Sequence, residues 1–481
     1  MQLMLDNEIH KTGWVRLIIA KGKWYLLSSV FTKGLGLLLL PVYTRYLSPA
    51  DFGILNSLQA VAQLLPIFMS LYLDAAFGRF YHEHKRDPRR LKLLFSTVYW
   101  FVVVWGGIVL AVTLATAPFW ISQFVEVPYY YIVLAFVPAL FLQIGQLGVV
   151  FLRQSLDSRR TTFLDVSTAI ISIAITIPLL VKWEMGVLAR LIGSVFPALF
   201  LFGYYTWFFS KRGLLGKIWD ASILKQCLIY SVPLIPSIAS GWIVGMSDRL
   251  ILAKYANAEA VGLYSVAMTF SSLLYLIQDA VTQVTGAASI SGLVQDKAAT
   301  LKKIAQISLF LWAMMLTSDL AVILFSPEII ATFATKAYAN ASTVIGVCGF
   351  AYVLSCQYRI FSDIVSFHKK TWVVSSAGLI MAGSSLGLNL FLVPRWGYYA
   401  AAYTFAISVF MYTAWIYFWA RRYEQVEVLW IRMTILVAAF FLGCWLSALF
   451  DGITFLNLLS KLFIIVLFAT GSLWIVKSAK S

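Results

Sequence analysis

Runs of about twenty apolar residues recur from one end of this chain to the other, and nothing else in the sequence restricts its fold as severely. A helix needs about that many apolar residues to cross a bilayer core. Such spans are read at roughly 24–43, 52–77, 93–116, 130–152, 163–181, 187–209, 226–246, 260–283, 304–325, 342–363, 372–393, 397–419, 433–450 and 457–476. Of the 481 residues, 61% are apolar and 12% are charged. Soluble domains carry about 45–50% and about 25%. A single-pass anchor, a secreted domain and a water-soluble enzyme are excluded. The expected fold class is an all-α polytopic membrane protein with about 14 transmembrane helices.

The net charge of +16 would point to nucleic acid in a soluble protein, but here it is sorted by topology. One set of inter-span segments holds Lys11, Arg16, Lys21 and Lys23, the loop from Arg79 to Lys92, and Arg153, Arg159 and Arg160. It also holds Lys211, Arg212, Lys217, Lys225, Lys297, Lys302, Lys303, Lys369, Lys370, Arg421, Arg422, Arg432, Lys477 and Lys480. The opposite set holds only Arg45, Lys182, Arg249, Lys254, Lys336 and Arg395. Basic residues gather on cytoplasmic loops, so both termini are expected in the cytoplasm, which requires an even number of spans. The first apolar run follows a mixed-charge segment, and no cleavable signal is expected.

No inter-span segment exceeds about twenty residues, so the working parts are expected inside the bundle. Gly213-Leu-Leu-Gly216-Lys217 lacks the spacing and the hydroxyl residue of a phosphate loop. Cys227, Cys348, Cys356 and Cys444 all fall in apolar runs and read as ordinary thiols. His82 and His84 flank Glu83 in a basic loop that reads as solvated. No metal site, cofactor or catalytic residue is expected.

Shifting the chain by 209 residues lays the first two spans on the seventh and eighth without a gap. Gly36 meets Gly245, Arg45 meets Lys254, and Gly53 meets Gly262. Both copies start on the same side, as parallel repeats do. The organisation expected is a cytoplasmic segment 1–23, an N-lobe 24–209, a cytoplasmic linker 210–225, a C-lobe 226–419 and two extra helices in 420–481. Asn56, Gln59, Gln63, Pro66, Ser70 and Asp74 share one face of the second span. Their shifted counterparts Ser265, Met268, Ser272, Tyr275, Asp279 and Gln283 share a face of the eighth. Any one of these side chains is more often a helix–helix hydrogen bond. A stripe six positions long that includes a carboxylate points instead to a water-filled central cavity.

Lys33 lies near mid-depth of the first span, where a charge costs about 2.5–3.5 kcal/mol, and it reads as cavity-facing. Its shifted counterpart is Trp242. A cation with an aromatic platform suits a phosphorylated sugar. Arg45 and the cluster Asp248, Arg249 and Lys254 lie at the outer span ends, where surface charge is an equal alternative. Arg359 and Asp363, four apart, can pair with each other. Asp319 lies within the ninth span with no evident partner; Asp165 and Arg190 lie near span ends, and Lys461 is expected to snorkel.

The stretch Pro41-Val-Tyr-Thr-Arg45-Tyr-Leu-Ser-Pro49-Ala-Asp-Phe52-Gly53 resembles the N-terminal signature of polysaccharide transport proteins, the Wzx-like flippases of the multidrug/oligosaccharidyl-lipid/polysaccharide superfamily. Ser231-Val-Pro233-Leu-Ile-Pro236, Ser247-Asp248-Arg249 and Ala260-Val-Gly262-Leu-Tyr264-Ser265-Val-Ala267 extend the resemblance to the seventh and eighth spans. It implies a V-shaped bundle of two pseudo-symmetric six-helix lobes, plus two C-terminal helices, in the bacterial inner membrane. The implied substrate is an undecaprenyl-pyrophosphate-linked oligosaccharide, moved to the periplasmic leaflet for O-antigen or exopolysaccharide assembly. A polysaccharide polymerase and glycosyltransferases would be partners, and H+ or Na+ a coupling ion. The cavity residues expected are Lys33, Arg45, Asn56, Gln59, Gln63, Trp242, Arg249, Ser272, Tyr275 and Arg359, with Asp74, Asp279 and Asp319 as ion-coupling candidates. A flippase for the peptidoglycan precursor lipid II and a multidrug exporter of the same superfamily are the alternatives. A membrane polymerase or ligase is the alternative from another class, and the short outer loops count against it.

Overall fold

The computed structural model describes residues 24, 31, 34–36, 38–155, 157–426, 428–447 and 455–478. Among the described residues there is no strand. Eleven helical segments there are long and apolar enough to cross a membrane. One of them, Thr371–Tyr423, is a hairpin of two expected spans, and Trp430–Leu446 is a shorter apolar helix. The first expected span lies mostly outside the described residues, although residues 38–46 are helical. The all-α, multi-pass expectation therefore holds. Large apolar side chains such as Phe119, Ile431, Leu456 and Trp474 point outward at 71–80% exposure, which only a lipid surround tolerates.

The residues pack as two compact units, and two of the three boundaries, after Asn56 and after Ala239, fall inside helices. One unit comprises 57–239 and the part of the chain up to Leu47; the other comprises 48–56 and 240–481. Helix α1 (Pro49–Ser70) begins in the second unit and continues in the first. Its start is a reciprocal capping box: the Ser48 amide donates to the Asp51 carboxylate, and the Asp51 amide donates back to the Ser48 hydroxyl.

The expected second span, 52–77, does not run through. Leu71 and Tyr72 both take left-handed backbone (φ 49° and 60°), ending α1 and restarting the chain as α2 (Leu73–His84). The first unit then continues through α3 (Pro88–Trp120), α4 (Tyr129–Gln154), α5 (Ser158–Val181), α6 (Val187–Lys211) and α7 (Ala221–Ser231). Asp87, Asp157 and Asp220 cap three of these helices through their carboxylates, using scarce acids where backbone amides lack partners. The core is aromatic: Phe95 packs tilted against Phe209 at 4.1 Å between ring centroids, and Phe151 and Phe77 meet them edge-on. Segment 210–225 is tied to α3, where Trp100 donates to the Gly216 carbonyl and Thr97 receives the Asp220 amide.

The second unit holds α8 (Ile235–Tyr255, from Ser240 onward), α9 (Ala258–Gln295), α10 (Lys297–Leu324), the short α11 (Ser326–Phe333), α12 (Ser342–Phe367), α13 (Thr371–Tyr423), α14 (Trp430–Ser447) and α15 (Phe455–Lys477). Gly397 (φ 57°, ψ −138°) reverses α13 on itself. Thr404 consequently donates to Asn389 at 2.7 Å, although a straight helix would hold them about 22 Å apart. α14 and α15 pack Leu436, Phe440 and Phe468 into the same apolar core as Leu309, Leu316 and Leu320 of α10. The snorkelling expected of Lys461 is corrected. It is 4% exposed and pairs with Glu328 of α11, because that helix folds a carboxylate within its reach.

Two glycines permit the closest approach in this unit. A Cβ on Gly53 would lie 1.7 Å from the Ala258 carbonyl oxygen, and one on Gly262 would lie 1.9 Å from that of Pro49. Both pairs, Gly53 with Gly262 and Pro49 with Ala258, are separated by the 209-residue repeat offset. The contact is therefore self-complementary, each copy offering the backbone oxygen that closes on the other's glycine. Gly53→Val and Gly262→Val are each expected to abolish recovery of monodisperse protein in detergent. Gly107→Ala, where a Cβ meets nothing within 4 Å, is expected to leave it unchanged in size-exclusion chromatography.

At the other end of this unit, Glu424, just past α13, is 5% exposed and receives both Lys297 and His368 at 2.7 Å. Burial alone would raise its carboxyl, but the hydrogen bonds from Lys297 and His368 outweigh it and hold the pKa below the ordinary value. A depressed carboxyl contributes stability that is complete above its unfolded pKa of about 4.3 and is lost as pH falls through the lower folded value. Thermal-shift midpoints are thus expected to drop in that acid window, and Glu424→Gln to make the drop shallower.

Candidate functional site

α9 presents hydroxyls and amides along one face because Ser265, Thr269, Ser272 and Gln278 recur at three, four or six residues. α12 repeats the pattern with Tyr352, Ser355, Tyr358 and Arg359. The two faces meet where Gln278 donates to the Ser355 carbonyl at 3.1 Å and accepts from its hydroxyl at 2.8 Å. Beside them opens a cavity of about 780 Å³ within the second unit. Asn56 of α1, Gly241, Gly245 and Arg249 of α8, and Phe405 and Tyr412 of α13 complete its wall. Its aromatic rings interlock, Tyr358 with Tyr412 at 4.2 Å and Tyr352 with Phe405 at 5.7 Å.

Two arginines supply the charge, and each is held by a carboxylate. Arg249 is 9% exposed; it donates to Asp248 at 3.0 Å and to the Gly245 carbonyl at 2.7 Å. Asp248, 3% exposed, takes a second hydrogen bond at 2.7 Å from the Tyr264 hydroxyl. Surface charge, the alternative at this span end, is thus the wrong reading for Asp248 and Arg249, whereas Lys254 and Arg45 are exposed. Arg359 pairs with Asp279 of α9 at 3.3 Å. The pairing expected with Asp363 is corrected: the partner lies eighty residues away on the facing helix, where spacing along one helix cannot reveal it.

Of the cavity residues expected from sequence, Asn56, Arg249, Ser272, Tyr275 and Arg359 line this cavity. Gln59 and Gln63 are exposed and belong to the part of α1 in the first unit. Trp242 is half-buried on α8 and does not line it, nor does Arg45. Lys33 lies outside the described residues. Among the acids, Asp279 reaches the cavity through Arg359. Asp74 sits in the first unit, on the wall of a different pocket. Asp319 is 0% exposed, against Gly349, with no hydrogen bond to either oxygen. Sequence reasoning missed Gln278, Ser355, Tyr352, Tyr358 and Tyr412. The i, i+3, i+6 spacing of Tyr352, Ser355 and Tyr358 was the available signal.

Among variants of the buried pair, Asp248→Ala is expected to be the most damaging, by about 3–5 kcal/mol, because it strands the guanidinium. Tyr264→Phe removes one hydrogen bond and is expected to cost about 1–3 kcal/mol. Asp248→Ala combined with Arg249→Met should recover much of the loss. Thermal unfolding of the solubilised protein checks this order.

A family model described as "Polysaccharide biosynthesis protein" matches residues 18–290. Protein 1 of the Lsg locus of Haemophilus influenzae is 24% identical over 246 residues, which are 50% of this chain and 58% of that protein. An uncharacterized membrane protein of the same organism is 24% identical over 77% of this chain and 89% of its own length. Among solved structures, the lipid II flippase MurJ in an inward closed conformation superposes with a TM-score of 0.69 at 14% identity, covering 93% of this chain and 97% of that one. A multidrug resistance MATE family transporter of the MOP superfamily gives 0.65 at 14% identity over 80% and 93%. These superpositions show a shared fold.

Proposed function

The chain belongs to the polysaccharide biosynthesis protein family, and from that premise we propose that it is a flippase, moving an undecaprenyl-pyrophosphate-linked oligosaccharide from the cytoplasmic to the periplasmic leaflet of a bacterial inner membrane. The observation that carries this reading is the cavity in the second unit. It combines hydroxyls, an amide pair, aromatic faces and two arginines at a depth where polar groups otherwise find no partner. Sugars meet hydroxyls, amides and ring faces there, and a pyrophosphate meets guanidinium groups, which match its oxygens two at a time.

The lipid tail stays in the bilayer while the headgroup crosses through the polar wall. With the cell interior negative, outward movement of an anion is downhill by about 2.3 kcal/mol per charge per 100 mV. The carboxylates on Arg249 and Arg359 keep the unloaded cavity close to neutral, so an arriving anion competes with Asp279 for Arg359 instead of meeting a bare charge. Release on the far side is then assisted by the same carboxylate. Asp279 and Asp319 are proposed as the acids that exchange a proton or sodium ion, and no step calls for a catalytic group.

In a deletion strain, lipid-linked repeat units should accumulate on the cytoplasmic face while surface polymer is lost. Complementation with Arg359→Gln should restore about a tenth of the wild-type polymer or less, since a charge-assisted hydrogen bond is worth about 1.5–3 kcal/mol. Arg359→Lys should restore more. Accumulation of lipid II would favour the peptidoglycan-precursor reading instead, and drug sensitivity with both lipid pools normal would favour an exporter.

A further inference from the structure

The first unit contains a separate polar pocket of about 440 Å³ that the proposed transport cavity does not use. It exists because α1 breaks. Leu71 and Tyr72, neither of them glycine, both hold left-handed backbone, a strain of about 1 kcal/mol or more for each. The break starts α2 so that Asp74, Gly78 and His82, each four residues apart, form a stripe along one side of the pocket. The facing stripe comes from α4, with Gln146, Val150 and Gln154 at the same spacing and in the same direction. His82 Nε2 meets Gln154 Oε1 at 2.7 Å, and a Cβ on Gly78 would crowd the Gln154 amide at 3.1 Å. Glycine there leaves the space open.

The polarity of this pocket is graded along its length. Asp74 lies at one end with Tyr72. His82 lies about 12 Å further along α2, two helical turns away, with Arg79 and Arg153 toward that end. Arg79 shares its charge with Glu83 at 2.7 Å, whereas Arg153 has no ion pair among the described residues. A carboxylate and a phenol suit a ligand's hydroxyl groups; a guanidinium and an imidazole suit an anionic oxygen.

We propose that this pocket binds a phosphorylated polyol headgroup, its hydroxyls toward Asp74 and Tyr72 and its phosphate toward Arg153 and His82. Such a group can come from a glycosyl phosphate or from a phosphatidylglycerol headgroup of the surrounding bilayer. The pocket lies in a different unit from the transport cavity, and its ligand chemistry stands whether or not that cavity moves glycans.

The test is equilibrium binding of glucose 1-phosphate to the full-length protein in phosphatidylcholine nanodiscs, with glucose and inorganic phosphate as comparison probes. Arg359→Gln serves as background, so that binding in the transport cavity is weakened. On that background Arg153→Gln, at an exposed position, and Asp74→Asn are each expected to weaken glucose 1-phosphate by about tenfold or more. Inorganic phosphate should bind more weakly than glucose 1-phosphate and should respond to Arg153→Gln but not to Asp74→Asn. If phosphatidylglycerol in the nanodisc displaces the probe, the pocket stands with a bilayer lipid as its natural source; if it does not, a glycosyl phosphate is the source. The proposal is overturned if both variants bind like their parent, if inorganic phosphate binds as tightly as glucose 1-phosphate, or if no binding occurs. His82→Gln, with the same expected loss, guards against misfolding of Asp74→Asn. Flipping in cells is scored separately, so loss of either reading leaves the other intact.

Discussion

A guanidinium buried at membrane depth must have a carboxylate beside it, and the arrangement of the second unit follows from that requirement. Arg249 is fixed by Asp248, Asp248 by Tyr264, and Tyr264 stands on the helix that carries the polar stripe. The pair thereby sets α8 against α9 and decides which face of α9 is left to line the cavity. Arg359 and Asp279 do the same between α12 and α9 at the more exposed end, at 3.3 Å. One pair is buried and the other is more accessible.

Composition and span length were enough to read the all-α, multi-pass architecture, since no other structure satisfies its backbone in hydrocarbon apart from a closed barrel. The polar stripe on the eighth span was legible because helical periodicity survives folding. Its counterpart on the second span was legible only as far as Asn56, because the helix passes from one unit to the other at the next residue. Gln59 and Gln63 continue the stripe in sequence but not around the same cavity. The partner of Arg359 and the placement of Lys461 were misread for one shared reason. Both are long-range pairs, 80 and 133 residues apart, and local spacing carries no trace of them. The tyrosine walls were hidden by abundance, in a chain with 24 tyrosines and 35 phenylalanines.

Family and fold contribute different things. The family match covers the first part of the chain and ties it to polysaccharide biosynthesis. The superpositions extend over nearly all of it, but at 14% identity they speak of architecture alone. What a particular member carries must therefore be read from side chains: paired arginines, ring-lined walls and an amide clasp in this one.

The path of the backbone between the two units has a consequence for anyone who would take the molecule apart. The chain leaves the first unit after Leu47, lends nine residues to the second, returns at Ser57, and crosses for good after Ala239. A fragment cut at that last crossing would carry away Gly53 and the Ser48–Asp51 cap, and the remainder would present Gly262 with nothing to close on. Neither half is a module that a gene fusion can transplant or a split reporter can reassemble by simple truncation. To be inherited separately, the halves would need residues 48–56 supplied in duplicate, once as the beginning of a helix and once as the missing piece of its neighbour.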